Sequence, residues 1–100
     1  MTTTEVEVLK KAILDLHRCE SSWLESVPVT ETFESKVVWT GEVQVFELHG
    51  HPTASRCYAW SSAIEGSPRR KFYAVLHVPP VDSPIAAVRA SIVGDHKSKK

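Results

Sequence analysis

The chain has 100 residues, 42% of them hydrophobic and 24% charged, with a formal net charge of zero. That usage suits a globular domain and excludes a wholly disordered chain. No apolar run approaches the roughly 20 residues of a membrane-spanning helix, and a neutral total supplies no global field toward nucleic acid or lipid. The stretch from Met1 to Val8 lacks the basic and apolar regions of a secretory signal, and Cys19 and Cys57 are too few for a disulfide scaffold. The expectation is a single cytoplasmic domain over residues 1–96 with a polar, basic tail at 97–100.

Charge is segregated along the chain. Residues 1–50 carry nine acids against four bases, net −5, and residues 51–100 carry three acids against eight bases, net +5. Two halves that fold against each other would neutralise locally; an anionic partner for the basic half is the other reading.

Thr4 and Glu7 have the spacing of a capping box, and Val6, Leu9, Ile13 and Leu16 recur at helical spacing, which predicts an amphipathic helix over 4–18. Ser22 with Glu25 repeats the capping signature, so Ser21–Glu25 reads as an extension of that helix or a further short turn. Pro28 then ends it. From Val29 the residues become β-branched and aromatic. Val37–Phe46 alternates as a strand with Gly41 as its bulge, and Thr30–Phe33 is a candidate short edge strand. A loop follows at His49–Ser55, then strands at Arg56–Ile64 and Lys71–Val78 joined by five residues, Gly66–Arg70.

That loop length sets Glu65 opposite Lys71 and puts Tyr58, Trp60, Ile64, Phe72, Leu76 and Val78 on one face. The opposite face receives Cys57, Ala59, Ser61, Ala63, Tyr73, Val75 and His77. After Pro79-Pro80, Asp82 or Ser83 caps a second helix with Pro84 near its first position; Ile85, Val88 and Ile92 form its stripe and Gly94 its stop. The predicted fold is α+β in the order α-β-β-β-α. It is a two-layer sandwich of a three-stranded antiparallel sheet, with Thr30–Phe33 as the candidate fourth strand and both helices on the Trp60 face.

Little in this pattern points to chemistry. His49 and His51 flank Gly50, but a zinc site wants a second close ligand pair, and none is present, so no metal is expected. Cys57 and His77 are a nucleophile–base candidate only because neighbouring strands would bring them together. There is no nucleophile elbow and no glycine-rich phosphate loop, so neither catalytic residues nor a cofactor are expected.

The α-β-β-β-α order resembles that of double-stranded-RNA-binding domains, with His49–Pro52 in the first hairpin loop. Those domains clamp phosphates with lysines at the start of the second helix. Here that place reads Val81-Asp-Ser-Pro-Ile-Ala86, with an acid and no base. Arg69, Arg70 and Lys71 are the remaining candidates for anion contact beside the lysine tail, so nucleic-acid binding is expected to be weak and is kept as the alternative function.

A second resemblance spans most of the chain. Glu25–Phe33 (ESVPVTETF), Val45–Pro52 (VFELHGHP), Cys57–Trp60 (CYAW), Ala74–Pro84 (AVLHVPPVDSP) and Ala87–Ala90 (AVRA) are similar to a set of short bacterial proteins with no established activity. That resemblance implies one self-contained domain and transfers no site residues.

The expected function is that of a small non-enzymatic interaction protein that self-associates or holds a protein partner. If both helices cover the Trp60 side, the other sheet face is left bare, and Phe46, Tyr73, Val75 and His77 form the expected interface.

Overall fold

The computed structural model describes residues 3–63 and 66–98. Its elements are α1 (Thr3–His17), β1 (Glu20–Phe33), β2 (Lys36–His49), β3 (Arg56–Ala63), β4 (Arg70–Leu76) and α2 (Pro84–Ser98). The four strands form one antiparallel sheet in sequence order. The α+β class is as the sequence predicts. The strand count, the bulge, the β3–β4 register and the placing of the helices differ.

The fourth strand is not a short edge piece. Residues 20–33 form a continuous 14-residue strand that takes in Ser21–Glu25 and Pro28. The capping signature at Ser22 and Glu25 does not start a helix, because Glu20–Trp23 pair with Phe46–His49 and tertiary pairing overrides local preference. Pro28 is tolerated for a reason visible in the ladder. Leu48 donates its N–H to the Ser55 carbonyl (2.9 Å), so even-numbered residues of β2 direct their backbone groups at β3 and odd-numbered ones at β1. Pro28 lies opposite Glu42, so its nitrogen faces outward from β1. A proline there blunts an exposed sheet edge without removing a ladder bond.

The bulges fall at Leu24 and Val38, where the β1–β2 register shifts; Gly41 pairs regularly with Val29. The hairpin closes through Glu34 and Ser35, both at positive φ (51° and 66°) between the pair Phe33↔Lys36. Two left-handed residues match the twist of the flanking strands, as in a type I′ turn.

The β3–β4 register pairs Trp60 with Tyr73 and Tyr58 with Val75, and ends at Ala63↔Arg70. The predicted Glu65–Lys71 pairing is replaced by Ser62↔Lys71, and Ile64 and Glu65 lie outside the described residues. An odd change of register moves every side chain of a strand to the other face. Tyr73 and Val75 therefore join Tyr58 and Trp60, while Phe72 and Leu76 join Ser61 and Cys57.

Each sheet face carries one helix, so the two-layer arrangement with both helices on the Trp60 face is corrected. Leu9 and Ile13 of α1 pack on Phe46, Leu48, Cys57 and Ala59, with Val6, Ala74 and Leu76 at the margin. Leu16, predicted to share that stripe, is exposed. On the opposite face, Ala87 and Val88 of α2 and the preceding Val81 pack on Val29, Val43, Val45, Tyr58 and Trp60. Ser83 caps α2 as predicted: its Oγ accepts the Ala86 N–H at 3.3 Å. The helix runs through Gly94 to Ser98, so the glycine does not stop it. No helix among the described residues is long and apolar enough to cross a membrane.

Candidate functional site

The expected interface residues do not form a bare surface. Phe46 is completely buried beneath α1, on the face opposite Tyr73 and Val75. Tyr73 and Val75 are half-buried in the cluster that α2 covers. His77 follows β4, and its Nδ1 and the Tyr58 hydroxyl share a hydrogen bond of 2.5 Å. Burial raises the Tyr58 pKa, an effect partly offset by Arg56 and reinforced by Asp82 and Cys57.

The Cys57–His77 pair is not assembled either. Cys57 pairs with Leu76 and points into the α1 side of the sheet, away from the Tyr58–His77 bond. Burial, with a smaller contribution from Cys19, pushes its thiol up to about 12. A thiol that stays protonated at neutral pH is a core packing group and not a nucleophile.

The histidines are spread over separate duties. His17 donates Nε2–H to the Ala74 carbonyl (2.7 Å), tying the end of α1 to β4. His51 lies edge-on to it at 6.5 Å and uses Nδ1 to accept the N–H groups of Thr53 and Ala54 (3.1 and 3.0 Å). His49 bonds through Nε2 to the Ser22 hydroxyl (2.7 Å). Among the described residues no three His, Cys, Asp or Glu side chains are grouped so as to hold a metal ion.

The candidate anion contacts are partly committed elsewhere. Arg69 is exposed on the β3–β4 connection. Lys71 Nζ sits 5.0 Å above the ring of Tyr73. Arg70 donates from Nε to Ser61 Oγ (2.9 Å) and from Nη2 to the Ser61 carbonyl (3.2 Å).

Two surface features emerge that the sequence pattern did not reveal. The first is an arm. β2 pairs with β3 only over Gln44–Glu47, so the far half of the β1–β2 hairpin extends past the β3 ladder. Its tip exposes Phe33 (68%), Val37 (59%) and Val38 (47%). Near that tip, Arg89 of α2 pairs with the buried Glu31 carboxylate. The whole β1–β2 hairpin carries six of the nine acids of residues 1–50, whereas Arg56, Arg69, Arg70 and Lys71 concentrate on β3, β4 and their connection.

The second feature is a fork. Beyond Gln44↔Ala59 the β2–β3 ladder stops, and a cleft of about 460 Å³ opens between the strands. Thr40, Glu42 and Gln44 line it from β2, Ser61 and Arg70 from β3 and β4, and Glu5 from α1. Trp39 reaches across from β2 to donate its indole N–H to Ser62 Oγ (3.3 Å), and its ring lies 6.0 Å from that of Trp60. Trp60 in turn stacks on Tyr73 at 5.0 Å. Gln44 is fixed on the other side, accepting from Trp23 Nε1 and donating to Ser26 Oγ, both at 2.9 Å.

Compared with known proteins, the chain matches no family model, no curated protein and no solved structure.

Proposed function

We propose that this is a small cytoplasmic, non-enzymatic interaction protein that self-associates, and that its contact surface is the tip of the β1–β2 arm, not a sheet face. The observation that carries the reading is the grouping of Phe33, Val37 and Val38, all strongly exposed, at the end of one projecting hairpin. Exposed apolar side chains concentrated at one end of the molecule mark an interface more often than scattered single ones do.

A second copy is the occupant that the charge pattern favours. The chain from 20 to 49 carries six acids and one base, and the connection from β3 to β4 begins its basic run at Arg69. The acidic β1–β2 hairpin of one copy then meets a basic β3–β4 end on another, which steers the encounter while the apolar tip supplies the buried area. The Phe33→Glu variant tests this, since it charges the tip and leaves both helix-covered cores untouched. The proposal requires the variant to be folded, by its circular dichroism, and shifted to monomer; a folded variant that associates like the wild type removes the arm from the interface.

A further inference from the structure

The fork between β2 and β3 is an interrupted ladder, and the interruption is specific. The hydrogen bond of Leu48 to Ser55 and the register Gln44↔Ala59 determine which residues face each other across these strands. By alternation, the next pair to exchange backbone bonds would be Glu42 and Ser61, followed by Thr40 and Ala63. Neither pair is formed. Instead, the Ser61 carbonyl accepts from the Arg70 guanidinium at 3.2 Å. A side chain thus occupies the place that a strand would fill.

We propose that this fork is a strand-addition site, where an extended polypeptide segment pairs with the inner edge of β2. An extended chain presents N–H and C=O groups at the period with which Thr40 and Glu42 present theirs, and main-chain bonds supply affinity in this mode of recognition. The stretch of β2 from Thr40 to Val43, paired with β1 but without a β3 partner, is roughly 13 Å long at about 3.3 Å per residue.

The lining sets the side-chain preference. The indoles of Trp39 and Trp60 stand on one side of the opening; on the other are Glu5, Glu42 and Gln44, with Arg70 held back against Ser61. Successive side chains of a strand point to opposite faces, so a segment alternating apolar with basic residues matches both walls. Backbone pairing at the outer edge of β1 is disfavoured by Pro28, whose nitrogen offers no donor there. The inner edge of β2 carries no proline.

A capped peptide, acetyl-Lys-Val-Lys-Val-Lys-amide, tests the inference by amide-resolved NMR on the Phe33→Glu variant, which separates this site from the arm. In the free protein the amides of Glu42 and Ser61 should exchange with solvent at least ten-fold faster than those of Gln44 and Ala59. Added peptide should shift Thr40, Glu42, Ser61 and the Trp39 indole signals and slow exchange at Glu42. The same peptide N-methylated at its central lysine should bind at least ten-fold more weakly, because methylation deletes backbone donors without touching side-chain chemistry. Equal binding of the two peptides, or shifts confined to other surfaces, would overturn strand addition. So would Glu42 and Ser61 amides as protected as Gln44 in the free protein.

Discussion

A Cβ placed on Gly41 would stand 3.0 Å from the indole of Trp39, two residues earlier on the same face of β2. The glycine is therefore a seat for the ring, which lies across it to reach Ser62 and Trp60. Gly41→Ala should cost about 1–3 kcal/mol, the usual range for overfilling a packed site. If the indole is the cause, the penalty shrinks when Trp39→Leu is added, because the smaller side chain leaves the space free. Chemical denaturation of the two single variants and the double variant measures the coupling. Additive penalties would mean that the ring does not rest on the glycine.

The arm's turn offers a gain of stability. Ser35 sits at φ 66° and Glu34 at φ 51°, a region that costs L-residues roughly 1–2 kcal/mol each. Ser35→Gly removes the side-chain clash, offset in part by the greater freedom of glycine in the unfolded chain. The melting temperature should rise by an amount corresponding to less than about 1 kcal/mol. A fall would place Ser35 outside the left-handed region.

Alkaline stability follows from Cys57. Its pKa rises on folding from 9.0 to about 12, chiefly through burial. The folded state therefore retains a proton that the unfolded state releases, and stability falls as pH rises through that window. Tyr58, also raised by burial, acts in the same direction at higher pH. Cys57→Ala should flatten the decline between pH 9 and pH 10 without abolishing it further up. In the native protein at pH 8, iodoacetamide should label Cys57 far more slowly than in the denatured chain. Equal labelling rates would show an accessible thiolate.

Much of this fold was legible because its signals are local. The apolar spacing of Leu9 and Ile13, the Ser83-Pro84 start of α2 and the β-branched runs of β2 to β4 all express elements that stand largely on their own sequence. β1 was hidden because Ser22 and Glu25 mimic a capping box and Pro28 breaks the pattern of a central strand; only pairing with β2 explains both. The β3–β4 faces were inverted by one odd step of register, which no composition reveals. The small side chains Cys57 and Ala59 looked like part of an uncovered face. They are small because α1 packs there. The candidate sites were less legible still. The arm turns through Glu-Ser where Asn-Gly would have announced a hairpin, and the fork exists only where two strands that begin in register part company.

Sedimentation equilibrium across micromolar concentrations tests the central claim most directly. The wild type should sediment above the 11.1 kDa of one chain and approach a defined multiple as concentration rises. Phe33→Glu should hold the monomer mass with an unchanged circular dichroism spectrum. High salt should weaken the wild-type association, since the acidic β1–β2 hairpin and the basic β3–β4 end attract across solvent. A wild type that remains at 11.1 kDa throughout would contradict self-association through the arm.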